Sequence, residues 1–267
     1  ALNATRSAAM PSNRGGARPV KAEMVLDEKT ARRLRRLHLR RVAMAASAVA
    51  LMTAVIILYV SPLLRVQKVE VAGASIVDRS EVASLASFRG DSMLRLDEDA
   101  ARERIEYLPM VRSVEIERVW PQKVRIKITE RTPWGFWQVG ADQYVIDAEG
   151  VVLPAVLPPE GSPVIVDLSN PVRLVAGDHV DIDAVNLTRT LLQRVPERLS
   201  LNISSLEFSA DKGLTITTDA GYRVVVGDSQ NMDYKLAVWL SIEQKLGRQA
   251  MAGHVLDLRF EDRPSFQ

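Results

Sequence analysis

The chain has 267 residues, 35 basic and 33 acidic side chains, a formal charge of +2, three histidines and no cysteine. This length is enough for more than one small domain and a sizeable core, while the missing cysteine excludes a disulfide scaffold, a thiolate metal site and a cysteine nucleophile. The near-neutral balance argues against a nucleic-acid binder, but it hides a split: residues 1–41 hold 11 basic against 3 acidic side chains, a charge of +8 that leaves −6 for the rest.

In chain order, the first 41 residues come first, and residues 1–25, with Pro11, Gly15, Gly16 and Pro19, read as a disordered tail. Six arginines follow: Arg32, Arg33, Arg35, Arg36, Arg40 and Arg41. From Val42 to Leu64 no side chain is charged, and 19 to 23 such residues match a hydrocarbon core of about 30 Å. The eight Leu, Ile and Val residues of Val42–Val60 favour insertion by about 2 to 5 kcal/mol. A cleaved signal peptide fits poorly, because some 40 residues precede the segment and its apolar run is too long. Residues 42–64 therefore read as one transmembrane helix. The positive-inside rule, acting through flanking residues such as Arg36, Arg40 and Arg41, puts residues 1–41 in the cytoplasm and everything after Leu64 outside it. The same arginines suit anionic headgroups.

Beyond the span, Val66–Val71 reads as a strand and Asp78 as the cap of a helix with Val82, Leu85 and Ala86 on one stripe. Asp97, Glu98 and Asp99 open a second helix with Ala101, Ile105 and Leu108 inward, ended by Pro109. Val111–Val119 and Val124–Glu130 follow as strands around Trp120-Pro121, with Val124, Ile126 and Ile128 alternating inward. The order is strand, helix, helix, strand, strand over about residues 66–131, a helix layer on a small sheet.

From 132 to 267 the pattern is mostly short strands at turn spacing: Trp134–Val139, Tyr144–Ile146, Val151–Leu153, Val164–Asp167, Ile203–Ser209, Leu214–Thr218 and Tyr222–Val226. A helix over about Asp181–Val195 directs Val185, Leu192 and Val195 inward. A last helix from about Asn231 aligns Met232, Leu236, Trp239, Leu240 and Leu246, and Gly247 stops it. Gly227-Asp228-Ser229 ahead of that helix reads as its cap rather than as an anion site. The final strand is His254–Phe260. The fold class is α+β, mainly antiparallel in this second part.

The strand opening VQKVEVAGA, the stretch RVWPQKVRIKITERTP from Arg118 to Pro133, and YVIDAEGVVL from Tyr144 to Leu153 resemble the FtsQ/DivIB family of bacterial cell-division proteins, whose first extracytoplasmic unit is a polypeptide-transport-associated (POTRA) domain. The order of basic tail, single span and POTRA unit is similar as well. The resemblance implies a divisome scaffold in the inner membrane at the septum that recruits FtsB and FtsL, with FtsW, FtsI and FtsK as further candidates. It also implies that the last helix and final strand carry the contact, FtsB adding a strand to the sheet edge. The matching residues are Asp257, Leu258, Arg259 and Phe260, joined by Trp239 of the last helix, although the apolar stripe favours core for Trp239. Independently, a terminal strand reads as an open edge with unpaired amide and carbonyl groups. Alternation along it makes Leu256 and Leu258 core residues, and sets Phe260, beside the polar run Glu261-Asp262-Arg263, as the docking residue.

Catalysis is not expected. Asp147, Glu149, Asp167, Asp178, Asp181, Asp183 and Asp257 each sit where a turn or cap explains an acid. His179 lies in a turn, and no Gly-x-Ser-x-Gly elbow, glycine-rich phosphate loop or paired-histidine motif occurs. Neither a cofactor nor a metal is expected. The rival reading is a membrane-tethered periplasmic cell-wall enzyme or glycan-binding module, which would need a cleft with convergent carboxylates.

Overall fold

The computed structural model of the chain describes residues 20–60, 62–154, 156–169, 172–260 and 265–266. It divides into two compact units, one ending at Leu63 and one from Leu64 to Gln267.

The first unit is one helix, α1 (Val20–Val60), of 41 residues and therefore about 60 Å long. His38–Ile57 within it is long and apolar enough to cross a membrane, and none of that stretch is buried. The helix begins well before residue 42, the expected start of the span. After Pro19 the sequence has no glycine or proline until Pro62, and its Leu, Ala, Glu, Lys, Arg and Met residues are strong helix formers. Residues 20–25 are thus helical where the sequence reads as a disordered tail, and residues 1–19 of that tail lie outside the described residues. A 3-10 turn at Pro62–Leu64 follows α1.

The second unit holds two sheets. The first has three strands, β1 (Lys68–Ala72), β2 (Val111–Val119) and β3 (Lys123–Glu130), in the order β1-β3-β2, with β1 parallel and β2 antiparallel to β3. Helices α2 (Arg79–Ala86) and α3 (Glu98–Glu106) supply the other half of its core, where Val82, Ala101 and Ile105 meet Val124, Ile126 and Ile128. Both helices start where an aspartate caps them: Asp78 accepts from Ser80 N–H at 2.8 Å and Asp97 from Ala100 N–H at 3.0 Å. Glu130 closes the lobe from below, its Oε1 accepting the Ser75, Ile76 and Val77 N–H groups at 2.9, 2.8 and 2.8 Å.

The second sheet has eight strands: β4 (Pro133–Val139), β5 (Asp142–Asp147), β6 (Val164–Asp167), β7 (Ile203–Ser209), β8 (Gly213–Thr218), β9 (Arg223–Gly227), β10 (Val255–Asp257) and β11 (Ser265–Phe266), ordered β11-β10-β9-β8-β7-β6-β4-β5. Four joins are antiparallel, and β4/β6, β6/β7 and β9/β10 are parallel. Two of the parallel joins have a physical cause in the helices between their strands. Helix α4 (Ile182–Leu199) carries β6 over to β7, and α5 (Met232–Leu246) with α6 (Arg248–Met251) carries β9 over to β10, because parallel neighbours need a long crossover. The helices and the sheet share one core that includes Trp137, Ile165, Leu187, Leu191, Tyr222, Trp239 and Leu256.

The expected stripes of α4 and α5 hold at Val185, Val195, Met232, Leu236 and Trp239, and each departs at one residue. In α4 the inward residue is Leu191, while Leu192 is 37% exposed, and the helix runs past Pro196 to a left-handed cap at Ser200. In α5, Leu246 is exposed and Glu243 is buried in its place, ion-paired with Arg248.

Candidate partner-docking site

The C-terminal end of the long sheet is built on β9. Three apolar residues in a row, Val224, Val225 and Val226, bury both faces of that strand, as a strand inside a sheet requires. β10 lies parallel to it, with Val255, Leu256 and Asp257 opposite Arg223, Val224 and Val225, and the ladder is completed by Arg223 N–H to His254 O (3.0 Å) and Leu258 N–H to Val225 O (2.9 Å). Leu256 and Leu258 point into the core and are 0% and 3% exposed, as the alternation requires.

The alternation stops there. The Asp257 carboxylate accepts from Arg259 N–H at 3.0 Å, which turns the chain off the sheet after three residues of strand instead of seven. Arg259 closes the same turn from its other end, with Nη2 and Nε donating to Asp257 at 2.7 and 3.1 Å. Burial pushes the Asp257 carboxyl up, but the side-chain and backbone bonds from Arg259 outweigh it and hold the group below the usual aspartate range. The stem of Arg259 rests on Gly227, where φ is +81° and an added Cβ would lie 2.8 Å from Arg259 Cγ, so the shelf beneath the arginine needs a glycine. Arg259 Cζ stands 5.3 Å from the ring centroid of Phe260, which is 61% exposed.

Of the residues singled out beforehand, the structure brings Asp257, Arg259 and Phe260 together at the surface. Leu258 is beside them in sequence but belongs to the core. Trp239 lies in the core, away from that surface cluster: it is fully buried, its Nε1–H donates to the Tyr222 hydroxyl at 2.8 Å, and the rings meet edge to face at 6.3 Å. Burial pushes the Tyr222 hydroxyl up to about 12, so it stays neutral in the core. The expected open edge is also corrected. The outer side of β10 is occupied, because Ser265 and Phe266 of β11 pair with Asp257 and Leu256, and the Phe266 ring stacks on His254 at 4.9 Å. Nothing in the spacing announced β11, since two residues are too few for a period. Glu261, Asp262 and Arg263 lie outside the described residues. The expected cap at Gly227-Asp228-Ser229 is absent: Asp228 pairs with buried Lys235 at 2.8 Å, Ser229 N–H donates to Asp183 at 2.9 Å, and Asn231 is the residue at the start of α5. Of the membrane-flanking arginines, Arg40 and Arg41 are exposed on α1, and the side chain of Arg36 lies outside the described residues.

The acids considered for chemistry are engaged in holding backbone or partners. Asp147 accepts from Glu149 and Val151 N–H (2.9 and 2.8 Å) and from Arg131 Nη1 (2.6 Å), and Glu149 binds both Arg131 (2.7 Å) and Arg112 (2.5 Å). Asp167 accepts from Trp137 Nε1–H at 3.2 Å, Asp178 from Val175 N–H and Asp181 from Ala184 N–H, both at 2.8 Å. Asp181, Asp183, Asp211 and Asp228 do line a cleft of about 400 Å³ with Lys212 and Arg259. Among the described residues, no group of three His, Asp or Glu side chains is placed to hold a metal ion.

Comparison with known proteins covers both sheets. Residues 64–131 match the description "POTRA domain, FtsQ-type", and residues 135–259 match "Cell division protein FtsQ/DivIB, C-terminal", a range that includes Asp257–Arg259 and stops before Phe260. Proteins named "Cell division protein FtsQ" are similar along much of the chain. The one from Chloroflexus aggregans is 32% identical over 176 residues, 65% of this chain and 64% of its own length. That from Streptomyces griseus is 30% identical over 57% of this chain and 79% of its own, and that from Corynebacterium glutamicum 24% over 78% and 92%. The match to the Chloroflexus aggregans protein thus covers slightly less than two thirds of that relative.

Proposed function

We propose, from the premise that this chain belongs to the FtsQ/DivIB family of cell-division proteins, that it is a non-catalytic divisome scaffold which recruits an FtsB–FtsL pair. In this reading α1 crosses the inner membrane once, with residues 1–41 cytoplasmic and the two sheets outside, at the septum. The first module ends near Arg131 and the second begins at Thr132. The cluster Asp257, Arg259 and Phe260 marks where a partner strand arrives, linking the cytoplasmic ring to septal peptidoglycan synthesis.

The observation that carries the reading is Phe260. It is a large aromatic side chain, mostly exposed, held beneath an arginine that is itself fixed by a carboxylate and a glycine shelf. Aromatic and arginine side chains are enriched among the residues that dominate interface energetics, the aromatics because a rigid ring buries a large area and arginine because its planar guanidinium stacks and donates several hydrogen bonds. A solvated loop has no need to brace an arginine over an exposed ring.

The test is titration of the full chain in nanodiscs with the extracytoplasmic segments of FtsB and FtsL. Saturable binding is expected, and Phe260→Glu should weaken it by about tenfold or more, the loss of one anchoring aromatic. Unaltered binding by Phe260→Glu would remove the residue from the site. Turnover of peptidoglycan fragments by the wild-type chain would overturn the non-catalytic role.

A further inference from the structure

β10 is a three-residue strand with a neighbour on each side: β9, parallel, and the chain's own Ser265–Phe266, antiparallel. The backbone groups that an incoming strand would have to meet are therefore already paired. Phe266 adds a side-chain hold through its stack on His254, with ring planes 12° apart. This hold is the smallest in the sheet. β11 has two paired residues, whereas β7 and β8 are matched from Ile203 to Ser209, and the Phe266 ring remains 38% exposed.

We propose that Ser265–Phe266 are an internal competitor for the docking row, and that a partner strand binds β10 by displacing them and taking over the antiparallel pairing with Leu256 and Asp257. This rests on the recruitment reading above. The physical ground is a balance of ladder length. A bare edge pairs with any extended chain it meets, so a two-residue cover guards it against unspecific pairing. The cover gives way to a strand that also pairs with Val255, which β11 leaves unmatched, and that gains a further contact at Phe260. The cover does not abolish affinity. It divides it by the fraction of time the row is free, so a row open one tenth of the time binds about tenfold more weakly than a bare one.

Two chains test this in nanodiscs: the wild type and a variant ending at Phe260. Without partner, hydrogen exchange at the β10 amides should be faster in the truncated chain. With the extracytoplasmic segment of FtsB as probe, truncation should tighten binding several-fold, with most of the change in the association rate. Phe266→Ala in the full chain should give a smaller gain of the same sign, and it serves as the readout if truncation disturbs folding. Unchanged exchange at β10, or equal or weaker binding by a truncated chain whose unfolding midpoint matches the wild type, overturns the competitor. Binding by neither chain, with the exchange difference present, instead overturns the recruitment reading on which the competitor depends.

Discussion

At the β5 edge of the long sheet the chain doubles back twice. Asp147 N–H donates to Val151 O at 3.0 Å and Leu153 N–H to Val145 O at 2.8 Å, and beyond them Val152 and Val180 N–H reach Asp178 O and Gly150 O at 2.8 and 2.9 Å. The Asp147 carboxylate, almost fully buried, then ties this edge to Arg131 of the preceding lobe. At the β11 edge there is only a two-residue cover, an exposed Phe260 and a half-exposed Phe266. Both edges face the same hazard of unpaired backbone. One is closed by extra chain and a buried ion pair, which makes it a structural joint; the other is closed by two residues of strand, and it is there that the exchange proposed above is placed.

The sharpest way to break this contrast lies inside the light edge itself. Leu258 and Phe260 are two residues apart, yet one is buried and the other exposed. Leu258→Glu places an unpaired charge in the core and should lower the unfolding free energy by about 4 kcal/mol or more. Phe260→Glu should change it by less than about 0.5 kcal/mol while weakening partner binding. Chemical denaturation of both variants checks the pair, and a stable Leu258→Glu chain would contradict the burial of that residue.

Next in size is the closed edge. Asp147→Ala leaves Arg131 without its buried partner and frees two backbone N–H groups, a loss of about 3 kcal/mol. The folded fraction should bind its partner as the wild type does. Comparable binding losses in Asp147→Ala and Phe260→Glu would erase the distinction between a structural edge and a docking edge.

A smaller effect concerns acid. Burial pushes the Glu130 carboxyl up, but the three N–H bonds from Val77, Ile76 and Ser75 outweigh it and keep the group below the usual glutamate value. Its folded pKa being depressed, its contribution is full above the unfolded value of about 4.3 and fades as the pH falls through the folded one. Stability should therefore be flat near neutrality and decline below about pH 4, since there the unfolded chain binds more protons. Glu130→Gln should lose about 1 to 2 kcal/mol at pH 7 and show a shallower acid slope, measured by denaturation across pH 3–7.

Local chemistry made much of this legible. The caps Asp78 and Asp97, the alternation Val124, Ile126, Ile128, and the burial of Leu256 and Leu258 depend on neighbours a few residues away, and they stand where the spacing predicts. One position in each of α4 and α5, Leu192 and Leu246, was harder to read. A leucine at 191 or 192 satisfies a 3.6 period nearly equally, and only the sheet beneath decides which one is buried. Trp239 shows the same limit: its ring suits a core or an interface, and the hydroxyl of Tyr222, seventeen positions away, settles it as core.

By itself, the sequence determined that a charge-free apolar stretch follows a basic one, where most of the strands and helices lie, and which face of the alternating strands is buried, because these follow from side-chain chemistry at fixed short spacings. The tertiary structure alone decided that β10 runs parallel to β9, that Arg259 turns back on Asp257 over Gly227, and that Ser265–Phe266 cover the row beside them. Strand pairing joins residues by backbone groups that every residue shares, so periodicity names the buried face of a strand and leaves its neighbour to the packing of the whole chain.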